Sequence, residues 1–92
     1  MDEAKNISNA LVGQGLAACV NMHPVTSVYR WKGSVEEEGE VELSIKTAYE
    51  MLENVKQTII SMHSYELPAL IWWPVDGEDK YAHWIIECVR KE

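Results

Sequence analysis

Metal-binding or nucleophilic chemistry in this sequence rests on three histidines, His23, His63 and His83, and two cysteines, Cys19 and Cys88. Cys19 and His23 share one face of an extended segment, but four residues of strand span about 13 Å, too far for one ion. His83 and Glu87 stand four apart on a helical segment and could chelate, yet with no third donor nearby in sequence they read as a surface pair. His63 closes a helical stretch, where the helix dipole favours an imidazole. Met62 beside it is a weak thioether donor whose helical spacing assigns it to the core, and both cysteines read as packing thiols on apolar faces. No Ser-His-Asp or Cys-His order, glycine-rich phosphate loop or zinc spacing is present, so the sequence offers no catalytic constellation.

The elements that must position these residues are organised around residues 16–46, two extended stretches joined by an acidic turn placed between Gly33 and Gly39. The first is rich in β-branched and aromatic residues (Val20, Val25, Thr26, Val28, Tyr29, Trp31), with Pro24 marking a bulge, bend or edge position. The second alternates Val41, Leu43 and Ile45 with Glu40, Glu42, Ser44 and Lys46. Glu36, Glu37, Glu38, Glu40 and Glu42 read as a solvated turn and a charged edge strand. A cation site built from all five is disfavoured, because consecutive strand residues point to opposite faces.

Ahead of the ribbon, Ala4, Ile7 and Leu11 trace a short amphipathic helix, with Asp2 and Glu3 in its first turn and Gly13 and Gly15 behind. After it, Thr47 and Glu50 fit a capping box for a second helix whose face is Leu52, Val55, Ile59 and Met62, ending near His63. Residues 70–75 read as a short apolar strand stopped by Pro74, and Tyr81, Trp84, Ile85 and Cys88 line a closing helix with Arg90 and Lys91 in its last turn. The order α, β, β, α, β, α implies an α+β two-layer sandwich. The usual split βαβ plan starts with a strand, so a strand is expected to be missing from the front.

At 92 residues the chain is one domain, and one this small buries only about 60 to 65% of its unfolded surface, so a partner subunit is unsurprising. Eight basic against 15 acidic residues give a net charge of -7, which argues against nucleic acid. No run of eighteen apolar residues and no signal-peptide core is present, and the two cysteines suit a reducing compartment, so a cytoplasmic protein without membrane contact is expected. Adjacent Trp72 and Trp73 must face opposite sides of their strand, and tryptophan is a favoured interface anchor, which points to oligomerisation.

The stretches LAACVN at 16–21, Tyr29-x-Trp31-x-Gly33, Glu40-Val41, Ile45-Lys46-Thr47, Tyr65-Glu66-x-Pro68, Trp73-Pro74-Val75 and Tyr81-x-x-Trp84 together resemble the CutA family, the divalent-cation tolerance proteins. The resemblance covers nearly the whole chain, in order. It implies a ferredoxin-like domain with an antiparallel sheet and a long β-hairpin, assembled as a cytoplasmic homotrimer linked to copper and other divalent cations and associated with no enzymatic reaction. It also implies a likeness to the trimeric PII signalling proteins, whose inter-subunit clefts suggest an alternative role in binding a small metabolite or anion.

The family begins with a strand for which this chain has no counterpart, Met1 falling where the first helix starts, so a truncated sequence is expected. Its metal-associated residues include a cysteine on that strand and a histidine pair before a Pro-Tyr. Here the matching stretch is Met62-His63-Ser64-Tyr65, so only His63 carries over, with further copper ligands expected from an adjoining chain or the missing strand. Pro24-Val25-Thr26-Ser27 is one residue shorter than in relatives, which alters a bulge count or local register. Glu42 and Ser44 make the ribbon face more polar than in many relatives.

Overall fold

The computed structural model describes residues 1–64 and 67–89. Its first helix, α1 (Asp2–Gly13), forms as the spacing predicts, with Ala4, Ile7 and Leu11 on one buried face. Gly15, at φ 73°, supplies the left-handed residue that turns the chain out of the helix. The amides of Leu16 and Ala17 both reach back to the Leu11 carbonyl, at 2.9 and 3.2 Å.

The ribbon is a hairpin of β1 (Cys19–Trp31) and β2 (Ser34–Lys46), paired antiparallel from Cys19 with Lys46 to Trp31 with Ser34. Its turn is only Lys32-Gly33, at φ 50° and 85°, which corrects the expected turn between Gly33 and Gly39. Two positive φ values match the twist of a two-residue hairpin, and the acidic run therefore lies on β2 itself. The ladder passes unbroken through Pro24, opposite Val41, with no bulge. In a two-residue hairpin the closing pair is hydrogen-bonded and alternate pairs follow, so Pro24 falls at a position whose nitrogen faces away from β2.

This register sorts the ribbon into two unlike faces. Val20, Leu43 and Ile45 lie on the face that packs against the helices. Glu36, Glu38, Glu40 and Glu42 share the other face, opposite Tyr29, Ser27, Val25 and His23. Toward the turn the apolar face runs past the helices, leaving Val28 and Val35 each 66% exposed.

A short 3-10 turn (Tyr49–Met51) leads into α2 (Leu52–Met62). The expected capping box does not form. The Thr47 hydroxyl donates to the Leu16 carbonyl at 2.6 Å, a tertiary bond that takes it away from the helix start. Val55 and Ile59 are buried as their spacing predicts, whereas Met62 is exposed because the last turn runs beyond the core.

Residues 70–75 belong to no ladder, correcting the expected strand: among the described residues the sheet has only β1 and β2, and no third strand pairs with this segment. Leu70 packs on the core, and the Lys56 ammonium, 3.4 Å from Glu53, sits 5.0 Å above the Trp72 ring. Ile71, Trp73 and Val75 are exposed.

The closing helix α3 (Asp79–Val89) buries only Val89. Tyr81 and Trp84 stack on each other with ring centres 5.6 Å apart, and Cys88 is exposed rather than in the core, because this helix meets the body of the protein only near its end. Arg90 and Lys91, expected in its last turn, lie outside the described residues.

One apolar cluster joins these elements: Ile7 and Leu11 of α1, Leu16 and Ala17 of the connection, and Val55 and Ile59 of α2. The architecture is α+β, two helices packed on the base of a long hairpin whose tip projects. Among the described residues no helix is long and apolar enough to cross a membrane.

Candidate functional site

His63 is the first residue beyond α2. Its amide still donates to Ile59 at 2.8 Å, while its backbone turns extended at φ -77° and ψ 138°, and its imidazole is half-buried. The last carbonyls of a helix carry partial negative charge, and the last turn of α2 holds no basic residue to offset it.

Packing of α1 on α2 brings the start of the first helix to this end of the second. The Ser64 amide donates to the Glu3 carboxylate at 3.4 Å. Hydrogen bonding from Ser64, chiefly its side chain and then its amide, holds the Glu3 carboxyl below the usual carboxylate range, and the nearby His63 acts in the same direction. The Glu3 carboxylate thus meets the chain just beyond the C-terminal end of α2, at the residue after His63. The sequence marks His63 through the helix period, but nothing local joins it to Glu3, since the Glu3 contact spans 61 residues.

The remaining candidates are dispersed. His83 Nε2 lies 3.3 Å from Glu87 Oε2 with both side chains well exposed, the surface pair expected from their spacing. His23 Nδ1 lies 3.3 Å from the Glu42 carbonyl oxygen and 3.9 Å from its carboxylate. The Cys19 thiol faces the Asn21 side chain at 3.8 Å, and Lys46 bonds Asn21 and, at 3.1 Å, Ser44. Cys19 and His23 therefore serve different partners. Among the described residues no three His, Cys, Asp or Glu side chains gather closely enough to hold a metal ion.

On the acidic face, the Tyr29 hydroxyl donates to Glu38 Oε1 at 2.9 Å. That bond, with the surrounding glutamate charge, pushes the phenol up to about 12. Glu36, Glu38, Glu40 and Glu42 share this face, at alternate positions of one strand, while Glu37, opposite Val28, lies on the other, as expected for consecutive strand residues.

Comparison with known proteins supplies the family. The family model for the CutA1 divalent ion tolerance protein matches residues 1–88. Protein CutA of Mus musculus is 43% identical over 84 residues, covering 89% of this chain and 48% of its own length. The solved structure of the periplasmic divalent cation tolerance protein CutA from Archaeoglobus fulgidus superposes with a TM-score of 0.95 at 34% identity, over 98% of this chain and 89% of that one. The PII-like protein CutA from Nostoc gives 0.91 at 35% identity, over 97% and 88%. The chain spans about half the length of the curated mouse, Arabidopsis and human relatives it matches. The two superpositions establish the ferredoxin-like, PII-like architecture expected from the sequence. On the strength of the match along residues 1–88 and of these relatives, the chain belongs to the CutA1 divalent ion tolerance protein family.

Proposed function

We propose that this chain acts in divalent-metal tolerance as a non-enzymatic, cytoplasmic homotrimer that binds copper or another divalent cation through His63. The observation that carries the reading is half-buried His63 at the end of α2, next in sequence to Ser64, whose amide bonds the Glu3 carboxylate, with no basic residue in the last helical turn. Imidazole nitrogen with carboxylate oxygen suits borderline cations such as Cu2+ and Zn2+. A pair of donors leaves coordination positions for water or for an adjoining copy. The Archaeoglobus fulgidus relative, a divalent cation tolerance protein, supports the same role.

Assembly of copies is supported by the outward row Ile71, Trp72 and Trp73, 82%, 51% and 66% exposed, next to Leu70, which packs on the core. Exposed apolar rows of this kind are features of interfaces. The two free thiols suit the reducing cytoplasm. Copper titration of the wild type and of His63→Ala tests the site: saturable binding that is lost in the variant is expected, and unchanged affinity and stoichiometry refute it.

The likeness to the Nostoc PII-like protein favours a second reading, a trimeric signalling or scaffold protein that takes a small metabolite or anion in clefts between subunits. A thermal-shift screen of nucleotides and carboxylates separates it from the first, since a ligand that binds only the folded state raises the melting temperature in a saturable way. No shift across both classes refutes it.

A further inference from the structure

The geometry points to a carboxylate-binding site at the base of the ribbon's outer face, formed by Lys46, Asn21 and Ser44 and matched to a small zwitterion. The inference deepens the second reading, a small metabolite or anion held by this protein, and rests on it. The pairs Cys19 with Lys46, Asn21 with Ser44 and His23 with Glu42 follow one another on the face turned away from the helices. Lys46 leans onto the middle pair, donating to Asn21 Oδ1 and, at 3.1 Å, to Ser44 Oγ. The Cys19 thiol approaches the same Asn21 oxygen at 3.8 Å.

Acceptors are consumed in this arrangement and donors are left over. An ammonium has three N–H donors, of which two are used here. With its oxygen engaged by Lys46 and Cys19, the Asn21 amide turns its NH2 group elsewhere, and a Ser44 hydroxyl that accepts from Lys46 keeps its own proton to donate. Half-buried Lys46 thus holds two neutral oxygens, although a charged acceptor makes the stronger bond. A carboxylate placed here would meet an ammonium, an amide and a hydroxyl together.

The next pair along the ribbon sets the rest of the ligand. Exposed Glu42 lies two residues from Ser44 on the same face, about 7 Å along the strand. It repels a bare anion, a phosphate dianion most of all, and attracts a cationic group carried by the same molecule. The net charge of -7 acts in the same sense.

The experiment is titration of isotope-labelled protein with γ-aminobutyrate, acetate and inorganic phosphate at one pH and ionic strength, following the Asn21 side-chain amide by NMR in the wild type, Lys46→Gln, Ser44→Ala, Glu42→Gln and Lys5→Gln. A saturable shift is expected at lower concentration with γ-aminobutyrate than with acetate, and with phosphate last. Lys46→Gln is expected to weaken γ-aminobutyrate binding by about tenfold or more, and Ser44→Ala, which keeps the charge, by a smaller factor. Lys5→Gln, which removes the same charge from the exposed side of α1, is expected to leave binding unchanged. Glu42→Gln is expected to erase the advantage of γ-aminobutyrate over acetate. Equal weakening by Lys46→Gln and Lys5→Gln overturns the site, since attraction by net charge would then explain it, and phosphate ahead of γ-aminobutyrate overturns the match to a zwitterion. Absence of a saturable Asn21 shift with all three compounds overturns the inference by itself. The second reading survives that result where the thermal-shift screen finds a ligand whose effect Lys46→Gln leaves intact, and falls with it where that screen is silent.

Discussion

Tyr29 on β1 and Glu38 on β2 are joined diagonally across the acidic face of the hairpin, phenol to carboxylate at 2.9 Å. The bond and the nearby charge raise the Tyr29 pKa from 10.0 to about 12. The folded chain therefore keeps a proton that the unfolded chain releases first. The stability this contributes is complete below about pH 10 and is lost as the pH rises to about 12. Spectroscopic titration of phenolate absorbance is expected to show one tyrosine ionising near the upper value, and Glu38→Gln should bring it down toward the ordinary range.

Thr47→Val should destabilise the chain by about 1 to 3 kcal/mol, because it leaves the carbonyl of buried Leu16 without the hydroxyl at 2.6 Å. Thr47→Ser keeps the donor and should recover most of the loss. Urea denaturation of the three proteins checks both outcomes.

Leu11 has 0% of its surface exposed and lies at the centre of the apolar cluster between α1 and α2. Leu11→Ala is expected to cost about 2 to 5 kcal/mol, the removed contact plus the cavity left behind. Val12→Ala, on the exposed side of the same helix, should cost well under half as much in the same denaturation experiment.

If the proposed trimer forms, Trp73→Glu is expected to convert it to monomers in sedimentation velocity at micromolar concentration. It places a charge in the outward row while Leu70 and Trp72 keep their contacts with the core and Lys56. Intact trimers in the variant would show that this row is not the subunit contact.

Much of the architecture is legible in the sequence because it follows from periodicity. The three-and-four spacing of Ala4, Ile7 and Leu11 gives α1 its buried face, and the β-branched and alternating residues of the ribbon give both hairpin strands. The turn is harder to read: Lys32-Gly33 lacks the asparagine or aspartate that usually marks a two-residue hairpin, and the more conspicuous polar run draws the assignment to β2. Thr47 has the spacing of a helix cap, yet spacing cannot show that Leu16, 31 residues away in sequence, provides its acceptor.

Residues 70–75 show the difference between strand propensity and a strand. Their composition suits an extended chain, but a strand exists only where a neighbour completes its hydrogen bonds. Met62 and Cys88 fail for a related reason, since a helical period says which residues share a face and not how far along the helix that face is covered. His63 was readable as a helix terminus. Its neighbour Glu3 was not, because only the docking of α1 on α2 joins them.

The two unlike faces of the hairpin also act as a proofreader of its own folding. A slip of one residue in the pairing would turn Glu42, Ser44 and Lys46, at the base of β2, toward the helices and send Leu43 and Ile45 out to water. A misaligned ladder would bring the charges of Glu42 and Lys46 against the apolar cluster, so polar residues that do nothing for the core in the native alignment penalise the off-by-one alternatives to it.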